Sequence, residues 1–307
     1  MAKFELTRRE FLRGAAAVPL VAVSAGSAYA SFVEPYDYEV TRTDVLIDGL
    51  PESFDGFRIA QISDVHHSRL VSIEDVGRVV ELAQGAGADL IVLTGDYTTA
   101  YRRYIEPCAE ALGSLSAAEG VWAVLGNHDH YTDPQLTVRA LERAHINVLN
   151  NANTVIHRGG DALQLAGIDD WSWNGTDWPR ALYGLDRKLP TVLLSHQPRV
   201  LDVVEASKVS LILSGHTHGG QLSLPFIGAP ARFGVKDFKY LRGLYEREGT
   251  QLYVSRGTGV IGLPMRLGVR PEIAVIRLRQ SGVQSLESGV KNWKMSVLDS
   301  RLQTLDS

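Results

Sequence analysis

An α/β fold is what this sequence of 307 residues predicts, and three observations carry the prediction. Short apolar runs rich in Val, Ile and Leu read as strands buried on both faces. Segments with helical spacing and good helix formers lie between them, so strand and helix alternate. Five of the runs also end abruptly in polar residues able to bind metals, and in open α/β sheets ligands gather at the carboxyl ends of strands.

The elements follow in order. Phe57 to Ile62 precedes Ser63-Asp64-Val65-His66, and Ser72 to Gln84 follows with helical spacing. Leu90 to Leu93 precedes Thr94-Gly95-Asp96, and Arg103 to Leu115 reads as the next helix, with Cys108 as a small buried hydrophobe on it. Val121 to Leu125 runs into Gly126-Asn127-His128-Asp129, with a helix over Gln135 to Ala144. Val192 to Leu194 precedes Ser195-His196, Arg199 to Ala206 is the fourth helical segment, and Leu211 to Leu213 precedes Ser214-Gly215-His216-Thr217-His218. Beyond Gly220 the alternation stops: Leu252 to Ser255 and Ile273 to Leu278 read as strands, and Leu224 to Gly234 as an apolar loop containing Pro and Gly.

Composition narrows the function classes. With 45% hydrophobic and 21% charged residues the chain is globular and not disordered. No repeat or low-complexity break divides it, so residues 31–279 read as one catalytic domain and 280–307 as a C-terminal tail. Removing residues 1–30 leaves 27 basic against 33 acidic residues, a net charge of −6, which argues against a nucleic-acid partner. The single cysteine excludes an intrachain disulfide and a Cys-rich metal site.

Residues 1–30 read as an export signal. Arg8-Arg9 stands before an apolar, Ala-rich stretch from Gly14 to Ala25, and Ala28-Tyr29-Ala30 predicts cutting after Ala30. The alternative is an uncleaved anchor, but the run contains Pro19, meets Gly26 and falls short of the roughly 20 residues that span a bilayer. The paired arginines followed by Phe11-Leu12 resemble a twin-arginine signal. That resemblance implies the twin-arginine translocase as a partner and a location in the periplasm or cell wall.

The residues at the strand ends suit divalent cations. Asp64 and His66, two apart where a strand ends, can turn toward one ion, and the two oxygens of Asp96 are enough to bridge two. Asn127 offers a carbonyl oxygen, and His196, His216 and His218 offer imidazole nitrogens. Mixed nitrogen and oxygen donors suit Mn, Fe, Zn or Co and not Ca or Mg. Taken singly, each residue has a structural reading: Asp96 as a helix N-cap, Asn127 as a turn residue, a lone histidine as a hydrogen-bonding group. The conjunction is what counts, because four of the nine histidines, two aspartates and one asparagine all follow apolar runs.

Asp64-x-His66, Gly95-Asp96, Gly126-Asn127-His128-Asp129, His196 and Gly215-His216-Thr217-His218 resemble, in order, the motifs of the calcineurin-like metallophosphoesterases. The resemblance spans residues 57 to 278. The stretch from Gly215 to Gln221, the twin-arginine leader and Gly262 to Glu272 look like a bacterial phosphodiesterase subgroup, itself similar to hydrolases of UDP-2,3-diacylglucosamine. The resemblance implies a four-layer αββα sandwich of two mixed sheets. It implies one metal on Asp64, His66, Asp96 and His218, and a second on Asp96, Asn127, His196 and His216. One departure is clear: many family members read Gly-Asp-x-x-Asp, where this chain has Gly95-Asp96-Tyr97-Thr98-Thr99.

A metal pair of this kind activates a shared water for in-line attack on phosphorus and clamps the phosphoryl oxygens. His128, with no metal assigned, is expected to protonate the leaving oxygen or to hydrogen-bond the transition state, with Asp129 orienting it. The expected substrate is a small or lipid-linked phosphoester. A lipid-linked pyrophosphate is one alternative, with Leu224-Pro225-Phe226-Ile227-Gly228 as an acyl contact and peripheral membrane contact as a corollary. A metal-holding binding protein without catalysis is the other. His67 and His130 read either as donors behind the ligands or as polar surface. Gly257 to Gly262 matches a dinucleotide fingerprint, but Pro264 and Gly268 deny it a helix, so a tight turn at the site is expected. Trp171, Trp173 and Trp178 read either as loop packing or as an aromatic wall.

Overall fold

The computed structural model describes residues 23–173, 175–204, 209–224, 227–230 and 239–281. Arg8-Arg9, Ala206, Pro225, Phe226 and nearly all of the expected tail lie outside these residues. Helix α1 (residues 23–32) leads into β1 (Glu39–Ile47), β2 (Arg58–Ile62), α2 (Ile73–Gly85), β3 (Leu90–Leu93), α3 (Ile105–Leu112) and β4 (Val121–Ala123). Next come α4 (Asn127–Thr132), α5 (Pro134–Arg143), β5 (Asn147–Val148), β6 (Ala152–Arg158), β7 (Asp161–Gly167) and α6 (Trp178–Ala181). The chain continues through β8 (Thr191–Leu194), β9 (Leu211–Ser214), β10 (Gly243–Arg247), β11 (Thr250–Val254) and β12 (Glu272–Gln280).

Two six-stranded mixed sheets result, in the orders β1-β12-β2-β3-β4-β5 and β10-β11-β9-β8-β7-β6. In the first, β2 to β5 run parallel and β12 joins β2 antiparallel; in the second, β11, β9, β8 and β7 are parallel between antiparallel edges. The period of two along each strand explains the continuous apolar runs. Ile59, Leu90 and Val92 face inward to meet Leu165, Val192, Leu194, Leu211 and Leu213 of the other sheet. Their neighbours Ala60, Ile62, Ile91 and Leu93 face outward onto Val76, Val79 and Ala83 of α2 and Ile105, Ala109 and Leu112 of α3. Cys108 sits fully buried in that outer cluster, as a small hydrophobe should. The four-layer sandwich is therefore the fold of the chain.

Local chemistry places the helices. Ser72 caps α2 by accepting from Asp75 N at 3.2 Å, while the Asp75 carboxylate accepts from Ser72 N at 2.9 Å. Asp133 caps α5, with Pro134 at its first position. The outer layer on the second sheet is thinner than expected. Among the described residues of the expected helix over Arg199 to Ala206 there is a 3-10 turn at Pro198–Asp202, with Val200 and Leu201 buried on the sheet. The β-branched Val200, Val203 and Val204 favour helix weakly, and the 16 residues between β8 and β9 also have to carry His196 into the site. The expected strand from Val121 to Leu125 ends at Ala123, because the chain leaves the sheet to reach Gly126.

Ala30, the last residue of the expected leader, is buried in α1 and its carbonyl accepts from Arg266 N at 2.8 Å. No helix among the described residues is long and apolar enough to cross a membrane.

Candidate metal centre

The carboxyl ends of β2, β3 and β4 in one sheet and of β8 and β9 in the other meet along one seam, and all seven expected ligands gather there. His66 Nε2 lies 3.1 Å from His218 Nε2 and 3.5 Å from Asp96 Oδ2. His218 Nε2 is 3.4 Å from Asp64 Oδ1. On the other side His196 Nε2 lies 3.1 Å from Asp96 Oδ2, 3.2 Å from Asn127 Oδ1 and 3.3 Å from His216 Nδ1, which is 2.9 Å from Asn127 Oδ1. Two groups, Asp64-His66-His218 and Asp96-His196-His216, thus each present three donor atoms within 4.8 Å of one another.

These spacings fit cations. Two ligands bonded at about 2.1 Å lie about 3.0 Å apart at a right angle and about 3.4 Å apart in a tetrahedron. Hydrogen bonding does not account for the arrangement, because facing imidazole nitrogens share at most one proton and His218 Nδ1 has no hydrogen-bond partner among the described residues. Burial drives the Asp64 carboxyl up and the His66 and His218 imidazoles down, each toward its uncharged form. Burial opposes the charge on His196 too, but Asp96, with Asp64 and Asp170, outweighs it and raises the imidazole. A divalent cation there would restore the ionised Asp64 carboxylate that such a set needs. One refinement concerns Asp96: its Oδ2 alone stands between the two groups, and its Oδ1 accepts from His128 N at 2.8 Å. A bridge would therefore run through one oxygen and not two.

The backbone is bent to make this possible. Asp64, His66, Asp96, His216 and His218 all have φ between 50° and 72°, the left-handed region. Asp and His tolerate it better than most residues, yet five such positions in one site cost folding energy that the surrounding packing must offset. Glycines let the loops close: a Cβ at Gly215 would collide with Ser63 Oγ and the Asp64 carboxylate, and one at Gly126 with the Asp96 carboxylate. Asp64 N donates to Gly95 O and His66 N to Asp96 O, both at 3.0 Å, which fixes one loop against the next.

The supporting residues divide as follows. His196 Nδ1 donates to Thr94 O at 2.7 Å, leaving Nε2 for the centre. His128 Nδ1 donates to Thr99 O at 2.7 Å, and its ring lies 4.9 Å from that of His66. Thr99, standing where relatives of this motif carry an acid, therefore holds His128 through its backbone. Asp129 does not orient His128, which corrects the expectation. It is fully buried and accepts from Asp96 N, Gly126 N and Tyr97 N at 2.8, 2.9 and 3.0 Å, so it shapes the Asp96 loop. Asp96 is no N-cap, and Asn127 opens α4. His67 is buried, with Nδ1 donating to Val71 O at 2.9 Å, while His130 pairs with Asp169 at 2.7 Å. Gly257 to Gly262 forms no helix; Gly259 N donates to Asp64 O at 2.7 Å, making the expected tight turn. Sequence reasoning missed Arg266, whose fully buried guanidinium donates to the carbonyls of Arg256, Gly257, Gly259 and Val269 and holds that turn. Its surroundings of Gly and Pro gave no signal of burial.

The chain belongs to the calcineurin-like phosphoesterases, which match residues 57–220, a family of phosphoester hydrolases that depend on a dinuclear metal centre. Among its curated relatives is an uncharacterized metallophosphoesterase, YkuE of Bacillus subtilis, 33% identical over 90% of this chain and 99% of its own length. Phosphodiesterase YaeI of Escherichia coli is 31% identical over 89% of this chain and 99% of its own length. A transmembrane protein with a metallophosphoesterase domain from Danio rerio is 33% identical over 79% of this chain, which spans 58% of that relative. Among solved structures, a dimetal phosphatase from Danio rerio aligns at 14% identity with a TM-score of 0.44, over 68% of this chain and 90% of that one.

Proposed function

We propose that the protein is a two-metal phosphodiesterase, exported by the twin-arginine route and acting outside the cytoplasmic membrane. Asp64, His66 and His218 would hold one ion and Asn127, His196 and His216 the other, with Asp96 Oδ2 within reach of both groups. The observation that carries this reading is the position of that one oxygen, 3.5 Å from His66 Nε2 and 3.1 Å from His196 Nε2. Bound there, two divalent cations supply Lewis acidity and a nucleophile drawn from water near neutral pH.

The chain's own residues do the rest. Burial of the ligands keeps bulk water away and strengthens every charge interaction with the phosphoryl group. His128 is held by Thr99 O at Nδ1, so as the imidazolium it would give the proton on Nε2 to the leaving oxygen and remain as the neutral ring with its Nδ1–H on Thr99 O. Asp129 fixes the loop from which Asp96 projects. The diester preference draws support from the name of the relative in Escherichia coli, and the export route from Arg8-Arg9 ahead of an apolar stretch.

Elemental analysis of purified protein, combined with a turnover panel of phosphomonoesters, phosphodiesters and lipid pyrophosphates, tests the proposal. Two equivalents of metal with diesters turned over fastest is the expected result. Preference for monoesters or lipid pyrophosphates would overturn the diester assignment.

A further inference from the structure

A row of aromatic rings leads from the candidate centre to the surface. His128 and Tyr131 lie three residues apart on α4 and so share a face, with ring centroids 5.8 Å apart. Tyr131 meets Trp173 edge to face at 5.1 Å and 86°. Trp173 in turn stacks on His130 at 5.7 Å and 15°, and His130 Nε2 bonds Asp169 Oδ1 at 2.7 Å. Asp169 is itself pinned, accepting from Asp170 N at 2.9 Å and donating its own N–H to Asn151 Oδ1 at 3.1 Å.

The outer members of this row are open although the fold offers them burial elsewhere. Tyr131 is 68% exposed and Trp173 45% exposed, whereas Trp122 and Trp178 pack against the inner and outer cores. Tyrosine and tryptophan contribute most to stability when covered, so a half-buried ion pair that braces two open rings beside His128 marks a surface kept for a ligand. Its chemistry is that of a flat ring with polar edges. Tyr131 carries its own hydroxyl and Trp173 lies on the His130–Asp169 pair, so the rings are polar at their margins, which matches a nucleobase and not a hydrocarbon chain.

We propose that Tyr131, braced by Trp173 and the His130–Asp169 pair, is a stacking platform for the nucleoside on the leaving side of a small phosphodiester. The proposal rests on the phosphodiesterase reading, since the platform adjoins the residue placed at the leaving oxygen. A single nucleoside needs no basic footprint, so the net negative charge of the chain does not oppose it. Trp171 takes no part in the row, and Trp178 belongs to the core.

The test compares kcat/KM for adenylyl-adenosine with that for glycerophosphoglycerol, a diester without rings, in the full chain and in Tyr131→Ala, Trp173→Ala and Tyr131→Phe. A preference for the dinucleotide that drops about tenfold in both alanine variants and survives in Tyr131→Phe is expected, within the range that one stacked base contributes. A preference unchanged by alanine overturns the platform, as does a stronger loss on diesters of acylated lipids. Binding of adenosine monophosphate against ribose 5-phosphate, read by tryptophan fluorescence, repeats the comparison without turnover. If the protein cleaves no diester the functional reading fails, and equal affinity for the two monophosphates, unaffected by Tyr131→Ala, is what removes the platform.

Discussion

Replacing Asp129 with asparagine keeps the side chain's size and changes what it can accept. Asp129 Oδ2 takes two backbone N–H groups, from Asp96 and Gly126, and Oδ1 takes a third from Tyr97. An asparagine oxygen can serve the first two, but its amide nitrogen then faces the Tyr97 N–H, donor against donor. One buried bond to a charged acceptor is lost, about 1.5–3 kcal/mol. For a domain of this size each kcal/mol moves Tm by about 2–4 °C, so a fall of about 3–12 °C is expected. Thermal unfolding followed by circular dichroism at fixed metal concentration measures it, with kcat determined on the same preparation well below Tm. The account predicts that stability and metal affinity fall together and that added metal restores most of the kcat. An unchanged Tm with kcat lowered as far as in His128→Ala would refute it, and would mean that Asp129 acts through His128 after all.

His128→Ala should leave metal content intact while lowering kcat by about 10²- to 10⁴-fold, the usual worth of a proton donor, and full activity would remove its role. Asp96→Asn should lose both ions and activity together; a variant that still holds two metals would contradict the shared oxygen. Replacing Arg8-Arg9 with Lys-Lys should strand the protein in the cytoplasm, as fractionation would show, and unchanged export would point to the general secretory route. Burial lowers the His130 imidazole but the bond to Asp169 outweighs it, so its pKa is raised; Asp169 is lowered, the same bond and charge outweighing its own burial. The stability from His130 is complete below about pH 6.5 and is lost as pH rises through its raised folded pKa, while that from Asp169 is complete above about pH 3.9 and is lost as pH falls through its lowered one. NMR titration of His130 should show the raised value in the wild type and its loss in Asp169→Asn.

Legibility in the sequence followed burial. β2, β3, β8 and β9 bury both faces, so their apolar runs stood out, and the metal-competent residues that follow them could be read directly. β1, reading Glu-Val-Thr-Arg-Thr-Asp-Val-Leu-Ile, and β10, reading Gly-Leu-Tyr-Glu-Arg, were not legible. They lie at the sheet edges with one side toward solvent, and their pairing comes from a neighbouring strand more than from their own pattern. Within the site, residue types were visible and backbone geometry was not. Nothing in Asp64-x-His66 announces two left-handed residues. The roles of Asp129 and of Thr99 O depend on loops distant in sequence, which spacing along one chain cannot reveal.

The central claim is that one carboxylate oxygen, Asp96 Oδ2, stands between two cations. Anomalous scattering recorded from crystals at the absorption edge of the native metal tests it most directly. The account predicts two peaks, one among Asp64, His66 and His218 and one among Asn127, His196 and His216, about 3.5–4 Å apart with Asp96 between them. A single peak, or two peaks with Asp96 bound to only one, would contradict it.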